Sequence, residues 1–245
     1  MSHFFRSVED VSPLKLFSPI HLILLLIYII GIVLIYKNNK KLKKSKYDIL
    51  KIMAIILLID QIVLYTWQIT SGYFRWDMSL PLYHSRIAVP MLIIGIFKNN
   101  KRIKILGMYW GLLGSVIAMI MAELYKFSFP HYTNFQFFIV HIIMGWILAY
   151  LLFVDQVKIT KEDNIFALKI TTIYNIALVI FNFILKPSYP NVNYGYMLKA
   201  PEFIGPLFKP IIHAILMIII FNIMMYLLYL FFNFIRKKTY NEKAN

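Results

Sequence analysis

The sequence contains no cysteine, and this absence excludes thiol nucleophiles, iron–sulfur ligation and a disulfide-stapled fold. Charge is also scarce, because only 15% of the 245 residues are Asp, Glu, Lys or Arg, against about a quarter in soluble domains. Acidic residues are the scarcest, with 11 Asp and Glu against 26 Lys and Arg, whereas 60% of the residues are hydrophobic. This composition excludes a water-soluble enzyme and a disordered chain, and it predicts an integral membrane protein.

The net charge of +15 does not indicate a nucleic-acid partner. Nucleic-acid binding needs a basic face on a folded soluble domain, but here the Lys and Arg residues lie in short loops between apolar runs. We therefore expect contacts of the cytoplasmic loops with anionic lipid headgroups. Lys is far commoner than Arg, and Ile and Asn abound, which suggests a bacterial source and a multi-pass location in the plasma membrane.

Seven stretches are nearly free of charge and close to the roughly 20 residues that a helix needs to cross hydrocarbon. The first is opened by Ser18 and Pro19, a helix cap followed by a proline in the first turn. No repeat or linker divides the chain, so we predict a single all-α domain over residues 1–245, a bundle of seven transmembrane helices. Their predicted bounds are about 16–36, 47–68, 80–97, 105–124, 135–154, 166–185 and 210–235.

The distribution of basic residues predicts the orientation, since cytoplasmic loops retain an excess of Lys and Arg. With Lys51 and Lys169 counted at their helix ends, one set of alternating segments holds 18 of the 26 Lys and Arg residues and the other holds 8. The more basic set includes the C-terminus. Seven crossings therefore predict an N-terminus outside the membrane and a C-terminus inside.

Polar side chains within hydrocarbon are costly, and each is a functional candidate until a structural partner explains it. In this orientation Asp60 lies near the midplane, whereas scattered residues such as Ser115, Asn175 and Asn222 interrupt largely apolar inner halves. A larger group falls in the outer halves of the helices and predicts a cavity that opens outward. Its members are His21, His84, Ser85, Arg86, Glu123, Gln136, His141, Asn182 and His213.

Several of these residues have a plain structural interpretation. His21 near the headgroups is more typical of an interfacial anchor, and Arg86 could extend outward to water or hold a phosphate or carboxylate. His141 fits a catalytic role and an interhelical hydrogen bond equally well. Aromatic residues near the predicted helix ends are more typical of an interfacial belt than of a substrate site; they include Trp67, Tyr73, Trp76, Tyr132 and Tyr194.

Two reaction chemistries are open to this set. A serine, a histidine and an orienting carboxylate transfer acyl groups through an ester intermediate, and the sequence offers Ser85, His141 or His84, and Asp60 or Glu123. His84 and Ser85 point about 100° apart on a helix, so they do not pair with each other. Zinc hydrolysis would need His84, His141 and His213 to converge, but no zinc-binding spacing is present. We predict no metal and no cofactor.

Four short blocks of the sequence carry a resemblance to a known family: Pro19 to His21, Leu80 to Ser85, Asn134 to His141, and the loop from Asn193 and Tyr194 to Lys199 and Pro201. Through these blocks the chain resembles the YwaF-type family of bacterial membrane proteins, which is related to the eukaryotic transmembrane protein 164 group of lipid acyltransferases. This resemblance implies a compact helical membrane protein and, from the eukaryotic relatives, acyl transfer between phospholipids by a cysteine and a histidine. Ser85 stands where the resemblance implies that cysteine, and serine needs a stronger base.

The leading hypothesis is acyl transfer or hydrolysis on a membrane lipid, with Ser85 as nucleophile and His141 as general base. Asp60 or Glu123 would orient the base. A competing hypothesis is a non-enzymatic protein that binds a lipid or small ligand, and a third is a zinc-dependent intramembrane hydrolase. The predicted substrate contacts are His84, Arg86, His21, Gln136, Asn193, Tyr194, Lys199 and His213.

Overall fold

The structure is a computed structural model that describes residues 3–10, 14–201, 204–205 and 207–244. Over these residues the chain forms α-helices and short 3-10 helices without a strand, as the all-α prediction requires. The 3-10 helices are His3–Phe5, Lys43–Ser45 and Tyr194–Tyr196. The α-helices are α1 (Pro19–Lys37), α2 (Asn39–Leu42), α3 (Lys46–Thr70), α4 (His84–Phe97), α5 (Lys101–Ile120), α6 (Tyr132–Phe153), α7 (Lys161–Leu185) and α8 (Pro210–Ala244).

Six of the described helices are long and apolar enough to cross a membrane, namely α1, α3, α5, α6, α7 and α8. The protein is therefore a multi-pass membrane protein. Helix α4 has 14 residues and is about 21 Å long at 1.5 Å per residue, which is less than the hydrocarbon thickness of about 30 Å. The seventh crossing, predicted over 80–97, stays a prediction.

Several helices begin earlier in the chain than predicted, because their first turns are polar or charged. Helix α5 begins at Lys101 with the side chain of Asn100 as its cap, and α7 begins at Lys161 after a reciprocal capping box between Thr160 and Asp163. A search for uncharged runs starts both helices too late because their first turns are charged. Helix α5 ends at Ile120, whereas the fourth span is predicted to end at about 124.

The described chain folds into two compact units. Unit 1 takes in the described residues up to Phe74 together with Ala88–Val157, and unit 2 takes in Arg75–Ile87 and the described residues from Lys158 onward. In unit 1, α6 packs against α1, α3 and α5, and 72% of its span is buried. A helix enclosed on several sides is apolar all round, as α6 is apart from its polar first turns and His141.

Two glycines let α1 and α6 approach closely. A Cβ added to Gly31 of α1 would overlap the indole of Trp146, and one added to Gly145 of α6 would overlap the ring of Tyr28. The indole Nε1 of Trp146 also donates to the Tyr28 carbonyl over 3.1 Å. Each helix thus fits an aromatic ring into the space at the other helix's glycine.

In unit 2, α7 packs against α8 and against the 3-10 turn Tyr194–Tyr196. A small apolar core lies between the helices and the loop that connects them, formed by Leu178, Val192, Tyr194 and Met197. Only 11% of the α8 span is buried, and residues along it such as Ile211 and Ile219 are at least half exposed. An apolar face of this extent suits contact with lipid.

Candidate functional site

An irregular segment, Arg75 to Tyr83, leads into α4, where the sequence predicts a helix from residue 80. Pro81 lacks an N–H donor, and the amide of Ser79 donates to the Arg75 carbonyl over 2.8 Å in a turn. The backbone here therefore leaves groups that a helix would have satisfied internally. Within a membrane-spanning protein such groups need partners from the protein.

Side chains of unit 2 supply these partners at every second residue. The hydroxyl of Tyr194 accepts from the Leu80 amide (3.2 Å) and donates to the Trp76 carbonyl (2.8 Å). The remaining contacts run from Arg86 Nη1 to the Met78 carbonyl (2.6 Å) and from the Tyr174 hydroxyl to the Leu82 carbonyl (2.8 Å). Arg86 and Tyr194, which the sequence predicts as substrate contacts, therefore also stabilise the backbone of this segment.

His84, which ends this segment, is held in one tautomer. Its Nε2 lies 2.8 Å from Asn175 Oδ1, and because an amide oxygen only accepts, Nε2 carries the proton and Nδ1 carries the lone pair. The imidazole stacks on Phe221, with ring centroids 4.2 Å apart, and meets Tyr174 edge-on at 5.5 Å. With 7% of its surface exposed, the ring is fixed in position and buried.

The contact with Asn175 fixes the position of His84 along α7. Asn175 lies ten residues before the end of α7 at Leu185, about 15 Å along the helix axis. His84 therefore lies beside the middle of α7 rather than at the end of that helix at Leu185. The sequence analysis names Asn175 only as a scattered polar residue, because a lone amide in an apolar helix carries no local sign of its partner.

The Asn175 amide also has an unsatisfied donor. Asn175 is fully buried, and its Nδ2 makes no hydrogen bond with any residue that the structure describes. Leaving such a group without a partner costs about 1–3 kcal/mol. The donor lies on the same side chain that orients His84, so a polar acceptor that reached it would lie close to the imidazole.

The loop behind His84 is tied to α7 through one amide. The Asn182 Oδ1 accepts from the Tyr194 amide over 2.8 Å, and its Nδ2 donates to the Tyr194 carbonyl over 2.9 Å. Gly195 follows with φ +66°, and a Cβ there would lie 2.8 Å from the Leu178 side chain and 3.4 Å from His84 Cε1. Both the left-handed backbone and the close packing favour glycine.

The other predicted residues of unit 2 have mixed roles. Asn193 Oδ1 accepts from the amides of Leu198 and Lys199, and its Nδ2 donates to the Lys199 carbonyl, so Asn193 shapes the loop while the Lys199 side chain remains exposed. His213 Nε2 donates to the Tyr196 carbonyl over 3.0 Å. Ser85 is half-buried, and within unit 2 its hydroxyl makes no hydrogen bond with a described residue.

In unit 1 the structure brings Asp60 and Gln136 together. Asp60 Oδ2 accepts from Gln136 Nε2 over 2.8 Å and from Gln61 Nε2 over 2.9 Å. The carboxylate is therefore held by two amides, which satisfy it without adding charge. Glu123, the other predicted carboxylate, is exposed and lies in the loop beyond α5.

The two predicted histidines of unit 1 differ in the hydrogen bonds that orient their rings. His21 is fully buried and uses both ring nitrogens, with Nε2 donating to the Met119 carbonyl (2.8 Å) and Nδ1 accepting from the Phe17 amide (2.9 Å). This arrangement makes His21 a structural anchor for the start of α1. His141 Nδ1 donates to the Phe137 carbonyl over 2.6 Å, which leaves the lone pair on Nε2.

A buried histidine that sequence reasoning did not select, His131, caps α6. Its Nδ1 accepts from the amide and hydroxyl of Thr133 at 3.2 and 2.8 Å, and its Nε2 donates to the Arg6 carbonyl over 3.0 Å. Asn134, at the third helical position, completes the capping box. Its place in the sequence was therefore the available sign that His131 caps a helix. Burial lowers the pKa of His131 below its ordinary value.

Arg6 and Asp10 hold the N-terminal segment against the same loop. Their side chains form an ion pair at 2.8 Å, and Arg6 Nη2 donates to the Ser128 carbonyl over 2.7 Å. The hydrogen bond from the Ser128 amide, followed by its hydroxyl and the Arg6 charge, lowers the pKa of Asp10. Trp67 and Tyr73 are buried beside this loop and Tyr194 is buried in unit 2, so these three rings do not belong to an interfacial belt.

The predicted residues therefore separate between the units. Ser85, His84, Arg86 and the loop residues lie in unit 2, whereas His141 and Asp60 lie in unit 1. Among the residues that the structure describes, no group of three or more His, Cys, Asp or Glu side chains is arranged to hold a metal ion.

Comparison with known proteins gives one match. A sequence model described as the TMEM164 family matches residues 16–232. No curated protein and no solved structure matches the chain.

Proposed function

Since this chain belongs to the TMEM164 family, we propose that it transfers or hydrolyses the acyl chain of a membrane lipid, with His84 as general base. The hydrogen bond between His84 Nε2 and Asn175 Oδ1, 2.8 Å long, carries the proposal. An amide oxygen in this position orients the base and stabilises the imidazolium that forms, as in Cys-His-Asn sites. It also keeps the lone pair on Nδ1, where a proton is accepted.

In the proposed reaction, His84 Nδ1 takes the proton of an attacking hydroxyl, which belongs to an acceptor lipid, to water or to Ser85. The hydroxyl oxygen bonds to the ester carbonyl carbon of the donor lipid, and the bond from that carbon to the departing alkoxide breaks. The imidazolium returns its proton to the departing oxygen. If Ser85 is the nucleophile, the acyl group passes through a serine ester and a second, equivalent step releases it.

Two further features support a reaction at this depth. His84 lies beside the middle of α7, at the level of acyl chains rather than of water, and side chains of unit 2 satisfy the backbone of the irregular segment before it. The unsatisfied Asn175 Nδ2 is a donor that an ester carbonyl oxygen would satisfy. Preorganised donors of this kind stabilise the charge that develops on such an oxygen.

The proposed topology has seven crossings in a bacterial plasma membrane, with the N-terminus outside. The irregular segment Arg75 to Tyr83 and α4 together would form one crossing, since 80–97 is interrupted only at its first turn. Irregular backbone is tolerated at membrane depth where it is enclosed in protein or lines a cavity. The asymmetry of 18 to 8 basic residues between the two sides supports this path.

The test is a lipidomic comparison of cells that express the wild type, His84→Gln or His131→Asn. The glutamine keeps an N–H donor for Asn175 but has no lone pair of comparable basicity, so lipid turnover should fall about 10²- to 10⁴-fold. His131→Asn is the matched control because it removes a buried histidine far from Asn175 in sequence and preserves a helix cap. Melting temperatures of the purified proteins are measured alongside.

An equally stable His84→Gln variant with wild-type lipid turnover would refute the base assignment. A Ser85→Ala arm identifies the nucleophile, because loss of turnover indicates the serine ester and retention indicates direct transfer to the acceptor.

The hydrogen bonds of His21, His213 and Asn193 favour one second candidate, a non-enzymatic lipid-binding protein. That candidate predicts no change in lipid composition in any arm.

A further inference from the structure

A groove of about 160 Å³ lies in unit 2, where the loop from α7 to α8 meets the ends of both helices. Two lysines line it, together with five apolar or proline side chains. The lining residues are Lys186, Pro190, Val192, Leu198, Lys199, Phe208 and Pro210. Among the lining residues that the structure describes none is acidic, so these side chains supply positive charge and an apolar wall.

The position of the groove matches the boundary of a membrane. Lys186 directly follows the last residue of α7, and Pro210 is the first residue of α8, so the groove lies at the ends of two membrane-spanning helices. Nearby residues of the described loop and the first turn of α8 carry exposed apolar side chains: Ile204, Leu207, Phe208 and Ile211 are each at least half exposed. A basic site beside exposed apolar side chains suits the depth of lipid headgroups.

The lysines have the chemistry that a phosphate requires. An ammonium group is a compact point charge with three donors and binds phosphate oxygens. Lys186 and Lys199 are both exposed, and the backbone of Lys199 is fixed on both sides by Asn193, through hydrogen bonds of 3.2 and 2.8 Å. The Lys199 charge therefore lies on a loop that hydrogen bonds hold in place, whereas Lys186 is the first residue after α7.

The size of the groove favours one headgroup. Pockets that enclose drug-sized ligands have volumes of about 300–1,000 Å³, and this groove is smaller. A phosphodiester and its glycerol would occupy it, while the acyl chains would remain against the apolar side chains outside.

We propose that this groove binds the phosphate headgroup of an anionic phospholipid from the surrounding leaflet, held by Lys186 and Lys199. The inference goes beyond the proposed acyl chemistry and does not depend on it, because binding here needs neither His84 nor a reaction. Its occupant is a membrane lipid, since the exposed apolar side chains beside the groove would gain nothing from a soluble phosphate ester.

The experiment measures binding of phosphatidylglycerol to the purified full-length chain in neutral detergent, by native mass spectrometry and by the shift in melting temperature. The variants are Lys186→Gln, Lys199→Gln and the double variant. The matched control is Lys98→Gln with Lys101→Gln, two exposed lysines, one in the loop after α4 and one at the start of α5. Phosphatidylcholine and glycerol 3-phosphate serve as the zwitterionic and soluble ligands.

Affinity for phosphatidylglycerol should fall about fivefold for each groove lysine removed, whereas the control variant should bind like the wild type. The single variants keep the test valid if the double variant fails to fold. Equal affinity in the wild type and in every folded groove variant would overturn the proposal. Binding of glycerol 3-phosphate as tight as that of the lipid, or of phosphatidylcholine as tight as that of phosphatidylglycerol, would also overturn it.

Discussion

At the scale of single residues, the histidines of this chain show how hydrogen bonds set the protonation of a buried ring. His21 and His131 each use both nitrogens, one as donor and one as acceptor, so both nitrogens of each ring have a partner. His84 donates through Nε2 to a side-chain amide and His141 through Nδ1 to a backbone carbonyl. The partner of the donating nitrogen thus decides which nitrogen of each ring carries the lone pair.

His131 predicts a pH dependence of stability. Burial, as the largest cause, lowers the pKa of His131 in the folded protein below its ordinary value of 6.5, and the nearby Arg6 charge acts in the same direction. The folded state therefore binds fewer protons than the unfolded state as the pH falls below that value. The contribution of His131 to stability is complete above pH 6.5 and decreases below it.

The measurement compares the melting temperature of the wild type and of His131→Asn between pH 7.5 and 5.5. Asparagine caps a helix but does not titrate, so the fall in melting temperature should be smaller in the variant. The groups around the imidazole, Arg6, Asp10 and His3, are present in both proteins. Parallel pH curves for the two proteins would contradict the prediction.

At the scale of secondary-structure elements, the packing of α1 on α6 depends on small residues. Tyr28 occupies the space at Gly145, and its hydroxyl is fixed by Ser115 Oγ at 3.2 Å. The ring therefore has little freedom to move away. In helices that pack within lipid, such close approach supplies much of the attraction between them.

Gly145→Ala should therefore destabilise the protein by about 1–3 kcal/mol, the range for overpacking of a well-packed core. Thermal unfolding of the purified variant in detergent measures the effect. The control is Gly111→Ala on α5, where an added Cβ would lie 3.4 Å from its nearest neighbours, in ordinary contact. A Gly145→Ala variant as stable as Gly111→Ala would show that the Tyr28 ring moves aside without cost.

At the scale of the whole molecule, the path of α4 determines the topology. If the segment through α4 crosses the membrane, the two sides hold 18 and 8 Lys and Arg residues; if it turns back, the later loops change sides and the counts become 15 and 11. The first division has the asymmetry typical of membrane proteins. Seven crossings are therefore the expectation.

Cysteine labelling in intact cells tests this path without background, because the chain contains no cysteine. Lys41→Cys should be protected from an impermeant thiol reagent, as should Lys101→Cys and Lys161→Cys, whereas Lys126→Cys should react. If α4 turns back, Lys101→Cys and Lys161→Cys react and Lys126→Cys is protected. Labelling after membrane permeabilisation shows that every introduced thiol is reactive.

The membrane-spanning helices followed from the sequence by itself, because the cost of a charge in hydrocarbon acts residue by residue along the chain. The same rule misjudged helix ends such as Lys101 and Lys161, whose charged turns lie within helices, and it missed the irregular segment before His84. That segment depends on partners distant in sequence, above all Tyr194, which is 118 residues from Trp76.

The candidate site was decided by tertiary structure. The block around His84 drew attention through its polarity and its resemblance to a family, but its partner Asn175 is 91 residues away, as Gln136 is 76 residues from Asp60. Hydrophobicity is a property of each residue and can be read in order, whereas a hydrogen bond belongs to a pair. Only the fold determines which polar groups lie within hydrogen-bonding distance of each other. The orientation of the His84 ring depends on one such pair.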